Sequence, residues 1–365
     1  MNAYAIIMAG GNGERFWPMS TPERPKQFLT LFGGKPLIRH ATDRLAGLIP
    51  PERTLVITAE RLIAKTRRAL PGLPKGNVIG EPCRRNTAAA VACACGLVKR
   101  LGGPGAVGCI LTADHRISPA VKFRRTQKDA IKAASRTDAI VTIGIAPDHP
   151  AVGFGYIECG LRIATGTSTK FHVVRRFVEK PDERTAKRYL RSGCFCWNSG
   201  MFIWKASTME KTFVQCAPDI AGLIGKVACA KSIRATLRNA YPTLRAISVD
   251  YAVMEKARKI VVARSDFMWD DVGSWTALPK HFPCDAAGNT CLGKTELLDT
   301  HGSIVVSEGD RLTAVLGVKD VVVVQTANAT LVCAKDRVQD IKGMCISTEI
   351  HPFLTAETHL TPIDK

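Results

Sequence analysis

The chain has 365 residues, of which 46% are hydrophobic and 23% are charged, a composition that supports a buried core and excludes wholesale disorder. Its longest nearly apolar run, 87–98, falls short of the ~20 residues that a membrane-spanning helix needs, so no membrane span is expected. The net charge is +19, and its whole excess lies in the first 287 residues, which suits polyphosphate substrates, nucleic acid or an anionic membrane.

Short apolar runs alternate with longer helical patterns over the first 150 residues. The runs predict strands at 3–9, 54–58, 107–112 and 139–145. The patterns between them predict helices at 37–48, 61–70, 87–101 and 121–135. This alternation is typical of βαβ units in a mainly parallel sheet, where ligands bind beyond the carboxyl ends of the strands.

The pattern changes after Pro150 and again after about Pro283. The middle part contains hairpin-like segments at 153–163, 172–179 and 194–204, and helical patterns at 182–191 and 250–259. We expect it to form one wall of a cleft. The last part consists of short β-rich pieces, at 302–306, 313–316, 320–325 and 330–333. Their spacing suits a small β-solenoid or sandwich, so we expect a domain at 1–283 and another at 284–365.

The 13 cysteines are scattered, odd in number and preceded by no secretory signal, which predicts reduced thiols in a cytoplasmic protein. Cys93 and Cys95, like Cys194 and Cys196, form C-x-C pairs. Because no second pair completes a C-x-x-C or histidine-bearing zinc motif, we expect buried free thiols rather than a zinc site.

The first predicted strand ends in a glycine-rich loop, GGNGERFWP, followed by RPK. Gly10, Gly11 and Gly13 let backbone N–H groups surround phosphate oxygens, and Arg15 and Lys26 add positive charge. The loop is neither a Walker sequence, which needs GK[ST], nor a dinucleotide fingerprint, which needs a third glycine where phenylalanine stands. Bare glycines would equally fit a tight turn, and Lys26 alone a solvated surface residue, whereas the whole string predicts a phosphate cradle.

That whole string, GGxGxRxxP followed by PK, resembles the signature of the sugar-1-phosphate nucleotidylyltransferases, and WPMS with PKQF is similar to the mannose-1-phosphate guanylyltransferase family. The resemblance implies a Rossmann-like domain with a mixed, mainly parallel sheet, followed by a small β-rich, left-handed β-helix-like domain. It implies transfer of GMP from GTP to α-D-mannose 1-phosphate with Mg²⁺ as cofactor. It also assigns Arg15 and Lys26 to binding and polarising the nucleoside triphosphate.

The segment EPCRRNT at 81–87 follows a short predicted strand and begins a helix. The resemblance assigns this segment, with Glu81, Asn86 and Thr87, to the nucleotide near its base. A carboxylate such as Glu81 could accept hydrogen bonds from the neighbouring N1–H and N2–H groups of guanine. The alternative is that Asn86 or Thr87 simply caps the helix, and the two roles are compatible.

Two aspartates are candidate magnesium ligands. Asp114 follows an apolar strand in LTADH, and Asp271 lies in WDDVGSW. Magnesium takes one or two protein carboxylates together with phosphate oxygens and water, and the resemblance assigns the ion to Asp114 and Asp271. Asp270 would point elsewhere, and His115 would orient its neighbours. A turn or cap is the alternative for either aspartate alone.

Five further residues fall in segments that resemble the family's sugar-phosphate pocket. By resemblance, Glu179 and Asn198 contact sugar hydroxyls, and Lys180 binds the sugar phosphate and takes part in catalysis. Gly155 would let the backbone approach the sugar ring, and Asp250 would add a contact from a helix start. The alternatives are a glycine bulge in a strand, an exposed charged pair at Glu179 and Lys180, and an N-cap at Asp250.

Other readings concern substrates and partners. Another hexose 1-phosphate or nucleoside triphosphate stays open as the substrate, and a homodimer is compatible with the family's β-helix domain. A nucleic-acid-binding module would suit the basic region, but an RNP-like aromatic pair, a KH clamp and a finger motif are missing and aromatics are 6%, so we expect no nucleic acid. Long family members continue into an isomerase domain, and since this sequence stops at Lys365 we expect no isomerase activity.

Overall fold

The computed structural model describes residues 2–11 and 13–346, so Asn12 of the glycine-rich loop and residues 347–365 of the predicted C-terminal domain lie outside the described residues. The chain forms two compact units. The first comprises Met1–Gly10 and Pro36–Trp269, and the second Gly11–Lys35 and Asp270–Lys365. The boundary predicted near residue 283 stays a prediction. Among the described helices, none combines the length and the apolar character that crossing a bilayer requires.

The strands that begin in the first unit come from mostly buried, β-branched runs of sequence. In chain order they are β1 (Ala3–Ala9), β2 (Thr54–Ala59), β3 (Val78–Glu81), β4 (Val107–Thr112), β5 (Arg116–Ser118), β6 (Ile140–Ile145), β7 (Tyr156–Ile163), β8 (Lys170–Val178), β9 (Phe195–Lys205), β10 (Ile260–Arg264) and β11 (Met268–Asp270). Within the described residues, nine of them form one sheet in the order β3-β2-β1-β4-β9-β6-β10-β8-β7.

The direction of the strands confirms the mixed, mainly parallel sheet. The neighbours from β3 to β4 are parallel, as are β6 and β10. Strands β8 and β9 are antiparallel to their neighbours, so seven of the nine described strands run the same way. Since parallel strands are buried on both faces, they read as continuous apolar runs such as AYAIIMA in β1.

The helices of the first unit follow these strands in alternation. They are α1 (Leu37–Asp43), α2 (Ile63–Ala69), α3 (Asn86–Gly102), α4 (Ala120–Arg136), α5 (Glu183–Ser192), α6 (Ala206–Cys216), α7 (Pro218–Ala228) and α8 (Ile233–Ala240). Helix α3 is buried from Ala88 to Val98, because its small alanine and cysteine side chains let the sheet and other helices pack close on all sides. The helix predicted at 250–259 is shorter, a π-helical segment at Asp250–Met254.

The C-terminal part of the second unit is a solenoid rather than a sandwich. Its elements are β12 (Thr290–Leu292), β13 (Thr295–Leu298), β14 (Ile304–Ser307), β15 (Thr313–Leu316), β16 (Val321–Gln325), β17 (Thr330–Ala334) and α9 (Ile341–Ile346). Parallel pairing joins β12 to β14 to β16, and separately β13 to β15, as successive coils stack. The predicted β-helix-like fold is confirmed for the described part of this region.

A buried asparagine stabilises one turn of this solenoid. The side chain of Asn289 is 2% exposed, and its amide donates to the Thr300 carbonyl at 2.7 Å and to Asp285 Oδ2 at 2.9 Å. Its Oδ1 accepts from the Ser303 N–H at 2.9 Å. Because each polar atom has a partner, the turn between coils closes without an unpaired buried group.

Candidate functional site

In the second unit, the glycine-rich loop packs directly on Lys26. Gly13 has a φ of +65°, and a Cβ at this position would lie 2.1 Å from Lys26 Cβ. Lys26 is 6% exposed, and its Nζ donates to the backbone carbonyl of Asp271 at 2.5 Å. The alternative of a solvated surface lysine is therefore wrong. A buried ammonium is held against both the glycine loop and the segment that carries Asp271.

The rest of the loop is fixed by aromatic packing within the same unit. The rings of Phe16 and Trp275 lie 4.9 Å apart, and Trp275 Nε1 donates to the Trp17 carbonyl at 3.2 Å. Ser20 Oγ donates to the Gly13 carbonyl at 2.6 Å. The segments 13–20 and 271–275 are thus parts of one packed cluster, whereas Arg15, on a 3₁₀ turn at Glu14–Phe16, is exposed.

Replacing Gly13 by alanine should displace Lys26. Its left-handed backbone disfavours a side chain, and the new methyl would overlap Lys26 Cβ, so we expect turnover to fall about tenfold or more. Gly33 has a similar φ of +61° with nothing within 4 Å of its Cβ position, which makes Gly33→Ala the matched control. Steady-state kinetics checks the pair, and equal losses in the two variants would contradict this assignment.

Asp270 and Asp271 have different surroundings. Asp270 accepts from the Val272 N–H at 2.6 Å, and its Oδ2 lies 3.2 Å from His281 Nε2. Although burial opposes it, these contacts hold the pKa of Asp270 below its ordinary value. The Asp271 carboxylate is only partly buried, and a Cβ on Gly273 would lie 3.2 Å from it. Asp270 therefore fastens the turn, and Asp271 carries the accessible carboxylate.

In the first unit, Asp114 lies two residues beyond β4, at the carboxyl edge of the sheet as predicted. Its neighbour His115 accepts from Trp269 Nε1 at its Nδ1, 3.0 Å away, and its Nε2 lies 3.9 Å from Asp114 Oδ1. Because Trp269 occupies Nδ1, the neutral ring carries its proton on Nε2, on the side of Asp114. His115 is thus held by Trp269 with its second nitrogen toward Asp114, which is compatible with the predicted orienting role.

Arg44 was missed by the sequence reasoning. It is 6% exposed, and its guanidinium donates to the His115 carbonyl at 3.0 Å beneath the loop that carries Asp114. Burial, and then repulsion from Arg116, lower the pKa of Arg44 to about 10, while Asp114 opposes that change. No motif marks Arg44, since it is one basic residue among many at the end of α1.

The predicted base-binding segment lies at the end of β3 and the start of α3 in the first unit. Tyr241 donates a hydrogen bond to Glu81 Oε1, and a Cβ on Gly10 would lie 3.3 Å from Glu81 Oε2. Burial raises the pKa of Glu81. One oxygen of this carboxylate is thus held by Tyr241, a partner 160 positions away in sequence that no local pattern indicated.

Asn86 and Thr87 are exposed at the first turn of α3. Asn86 Oδ1 accepts from the Thr87 N–H at 2.8 Å, and Thr87 Oγ1 accepts from the Val249 N–H at 2.8 Å. The N-cap position is Arg85, which makes no side-chain capping bond. Asn86 and Thr87 therefore fix the helix start locally, and their base-binding role stays a prediction.

The five predicted sugar-side residues lie together in the first unit. A Cβ on Gly155 would lie 2.4 Å from Glu179 Oε2, so only glycine admits this carboxylate, and the Gly155 carbonyl accepts from the Asn198 N–H at 2.8 Å. Asn198 Nδ2 donates to Asp250 Oδ1 at 3.0 Å. Lys180 Nζ lies 3.3 Å from Glu179 Oε1. Gly155 precedes β7 directly, and the N-cap of the segment starting at Asp250 is Val249, so the bulge and the N-cap do not describe these two residues. The charged pair does form, with the Lys180 side chain 59% exposed and that of Glu179 12% exposed.

Glu255 was also missed, although it belongs to the same segment as Asp250. Its Oε1 accepts from the Glu179 N–H at 3.2 Å. Burial first, and the charge of Glu255 in addition, raise the pKa of Glu179, while Lys180 opposes the shift. The cluster therefore concentrates three carboxylates beside one ammonium, a set that offers acceptors to sugar hydroxyls and a cation to a phosphate.

The raised pKa of Asp250 should make the stability of the folded protein depend on pH. Burial, and then repulsion from Glu179, raise the pKa of Asp250 to about 6, above its ordinary value of 3.8. The folded state favours the protonated carboxyl, so stability falls as the pH rises from about 4 through about 6. We expect Asp250→Asn, which keeps an acceptor for Asn198, to raise the melting temperature more at about pH 7.5 than at about pH 4.5. Calorimetry at both values measures this, and equal shifts would contradict it.

Left-handed backbone marks several predicted positions. In the described residues, positive φ angles outside glycine occur at Asn86, Lys180, Val272, Asp299 and Asp320. Asn86 and Lys180 are predicted site residues, with φ of 59° and 46°, and Val272, with φ of 47°, follows Asp271. Such conformations cost about 1–3 kcal/mol and cluster at binding sites, which supports a functional reading of these three turns.

The donor set suits a hard divalent ion. Among the described residues, no group of three or more His, Cys, Asp or Glu side chains is placed to hold a metal. Magnesium needs no such cage, because it takes one or two carboxylates and completes its shell with phosphate oxygens and water. Asp114 in the first unit and Asp271 in the second each present a partly exposed carboxylate, the kind of oxygen ligand that magnesium takes, and their joint role stays a prediction.

Two family models match this chain. A model described as nucleotidyl transferase matches residues 4–287, and one described as MannoseP isomerase/GMP-like beta-helix domain matches residues 293–346. The chain is also 38% identical over 349 residues to mannose-1-phosphate guanylyltransferase 2 of Escherichia coli O157:H7, covering 93% of this chain and 72% of that protein.

A second relative and a solved structure are similar to this chain over most of its length. The chain is 35% identical over 366 residues to a mannose-1-phosphate guanylyltransferase of Sinorhizobium fredii, covering 95% of this chain and 70% of that protein. The crystal structure of a mannose-1-phosphate geranyltransferase from Thermus thermophilus is similar with a TM-score of 0.84 at 34% identity, covering 98% of this chain and 100% of that one. The similarity thus extends over both the sheet domain and the solenoid.

Proposed function

The chain belongs to the nucleotidyltransferase family and, within it, to the mannose-1-phosphate guanylyltransferases, and on that basis we propose that it transfers GMP from GTP to α-D-mannose 1-phosphate, with release of pyrophosphate. The observation that carries the proposal is the glycine-rich loop closed on buried Lys26. Lys26 is 6% exposed and packs against Gly13, so its ammonium lies beside a loop whose backbone N–H groups can bind phosphate oxygens.

The proposed reaction is a direct displacement. One phosphate oxygen of mannose 1-phosphate attacks the α-phosphorus of GTP in line while pyrophosphate leaves from the opposite side. The chain supplies no nucleophile of its own. It binds two anions that repel each other and neutralises the charge that develops, and each such donor contributes about 3–4 kcal/mol.

The roles of the individual residues follow from their chemistry. Backbone N–H groups of Gly10, Gly11 and Gly13 bind phosphate oxygens, and Arg15 and Lys26 withdraw charge from the triphosphate. In the sugar cluster described above, Lys180 binds the sugar phosphate, and the carboxylate and amide groups accept and donate hydrogen bonds to the sugar hydroxyls. Gly155 belongs to that cluster because it admits the Glu179 carboxylate.

Asp114 and Asp271 are the residues that would hold Mg²⁺. When bound, the ion would neutralise phosphate charge and orient the reacting oxygens. Around it, Asp270 and His281 keep the Asp271 turn in place, and His115 and Arg44 do so for the Asp114 loop. These supporting contacts fix the carboxylates so that little reorganisation accompanies binding.

Base selection is proposed for Glu81, Asn86 and Thr87. Tyr241 holds one oxygen of Glu81 and fixes the orientation of the carboxylate, which restricts the directions from which guanine N–H donors can approach. A base lacking these donors would leave the second oxygen of the half-buried carboxylate without a hydrogen bond from the substrate, and such a loss discriminates between substrates.

The setting of the protein is part of the proposal. All twelve cysteines whose side chains are described are free thiols, which supports the cytoplasm as its compartment. The partners that the proposed reaction requires are GTP and mannose 1-phosphate, and we expect neither nucleic acid nor a membrane among them. A homodimer stays a prediction, which sedimentation of the full chain would measure.

A substrate panel tests the function. Pyrophosphate release is measured for GTP, ATP, UTP and dTTP, each with mannose 1-phosphate and with glucose 1-phosphate, in the presence of Mg²⁺. We expect the highest kcat/KM for GTP with mannose 1-phosphate. A higher value for any other combination would replace the assigned substrate, and no release with any pair would overturn the reaction itself.

A further inference from the structure

Two cysteines lie side by side on adjacent strands of the first unit. Strands β7 and β9 are antiparallel, with Ile157 opposite Cys196, and the Cys159 N–H donates to the Cys194 carbonyl at 2.8 Å. Because side chains alternate along a strand, Cys159 lies on the same face as Ile157 and therefore as Cys196. The sulfur atoms of Cys159 and Cys196 are 3.5 Å apart.

The environment favours reaction at this pair. Cys196 is fully buried, whereas Cys159 is partly exposed. The hydrogen bond from Cys159 and the nearby Arg264 guanidinium hold the pKa of Cys196 below its ordinary value, although burial opposes them. The same hydrogen bond, and then burial, raise the pKa of Cys159, so the pair holds its shared proton on Cys159, the partly exposed member.

Other buried cysteines lack these features. Burial raises the pKa of Cys93, Cys95 and Cys109, and within the described part of the chain none of them forms a sulfur–sulfur hydrogen bond. Inert thiols of this kind are the ordinary case in a core. The combination of a 3.5 Å sulfur pair, one partly exposed member and an adjacent guanidinium sets Cys159 and Cys196 apart.

We propose that Cys159 and Cys196 form a reversible oxidation site, joined as a disulfide by a small two-electron oxidant such as hydrogen peroxide. Cys159 passes its proton across the hydrogen bond to the Cys196 sulfur and attacks one peroxide oxygen as a thiolate. The O–O bond breaks, and the displaced hydroxide takes that proton from Cys196 and leaves as water. The Cys196 sulfur then attacks the sulfenic acid on Cys159, forming the S–S bond and breaking the S–O bond, and a second water leaves. Two thiols are oxidised and one peroxide is reduced.

The disulfide would change the sugar cluster. Asn198 lies two residues after Cys196 on β9, and its backbone N–H donates to Gly155, which precedes β7. Closing the sulfurs from 3.5 Å to about 2.05 Å draws the two strands together at this point. The consequence for mannose 1-phosphate rests on the proposed function, whereas formation of the disulfide does not.

Peptide mapping tests the site without reference to activity. The full chain is treated with hydrogen peroxide, alkylated and digested with trypsin under non-reducing conditions. Cys159 falls in the peptide 137–162, and Cys194 and Cys196 fall in 192–205. We expect these two peptides to be joined with loss of two hydrogens and to separate after dithiothreitol. Sulfinic or sulfonic acid at Cys159, or no oxidation at this pair, would overturn the proposal.

Three variants identify the partner. The link should survive Cys194→Ser, since Cys194 is an exposed cysteine directly before β9 that serves as the matched control. It should disappear in Cys159→Ser and in Cys196→Ala. Cys196 is buried, so Cys196→Ala could fail to fold. Cys159 is partly exposed, so Cys159→Ser decides the question in that case. A link that disappears with Cys194→Ser would show that the pair is wrong.

Kinetics measures the consequence. Oxidised wild type should have a KM for mannose 1-phosphate raised about tenfold with a smaller change in kcat, since a shift near 1 Å misplaces the bound sugar. Dithiothreitol should reverse the change, and Cys159→Ser should not show it. A disulfide without any kinetic effect would leave the oxidation site standing and overturn only its link to the sugar cluster.

Discussion

Replacing Lys26 by alanine should lower kcat at least about a hundredfold without unfolding the protein, because a donor aimed at developing phosphate charge contributes about 3–4 kcal/mol. The ammonium is buried and held against the glycine loop, so neither water nor a mobile side chain can take its place. Steady-state kinetics with GTP and mannose 1-phosphate measures the loss, and a melting curve shows whether the fold is kept.

Two further variants make that result specific. Lys26→Met keeps the length and packing of the side chain and removes only the charge, so it should lose turnover as severely as the alanine variant. Lys35→Ala removes an exposed lysine of the same unit and should leave turnover close to that of wild type. Near-normal rates in Lys26→Met would show that the buried charge has no part in the reaction.

Much of the sheet could be predicted because its strands are encoded locally. The runs at 3–9, 54–58 and 107–112 coincide with β1, β2 and β4, since a strand buried on both faces is uniformly apolar whatever its neighbours are. Helices α6, α7 and α8 were missed. Their sequences are short and of mixed polarity, and their helical state depends on packing that a linear pattern does not contain.

The division of the chain into two compact units could not be predicted from sequence patterns. The alternating pattern placed the glycine-rich loop with β1, yet residues 11–35 belong to the same compact unit as the solenoid. Lys26 and Asp271, 245 positions apart, meet through a backbone carbonyl, which leaves no trace in composition or periodicity. Strand pairing follows from local sequence, whereas association of distant loops depends on contacts formed only in the folded chain.

The residues of the candidate site also fall into two groups, those in contiguous motifs and those that act through long-range contacts. Residues in contiguous motifs, such as Gly13 and Asp114, could be proposed as site residues from sequence, because a motif encodes its chemistry in spacing. Arg44, Tyr241 and Glu255 were not, because each acts on a predicted site residue through a single long-range contact. Supporting residues of this kind are specified by geometry alone, and no residue type marks them in advance.

Replacing Asp271 by asparagine should lower turnover at least about a hundredfold and raise the Mg²⁺ concentration needed for half-maximal activity, because a neutral amide binds a hard divalent ion more weakly than a carboxylate. Asparagine has the same shape, so the turn closed by Asp270 and His281 should persist and the melting temperature should change little. Activity is measured over a titration of Mg²⁺ at saturating substrates.

A surface carboxylate of the same unit provides the control for this variant. The Asp310 side chain is 97% exposed, and its ion pair with Lys294 at 3.0 Å is weak because both groups are solvated, so Asp310→Asn should leave both turnover and the Mg²⁺ requirement unchanged. If Asp271→Asn lost turnover with an unchanged Mg²⁺ requirement, the carboxylate would act on substrate rather than on the ion. Since Lys26 Nζ donates to the Asp271 backbone carbonyl, which the substitution leaves in place, that contact should survive in Asp271→Asn, which separates the metal role from the cation role.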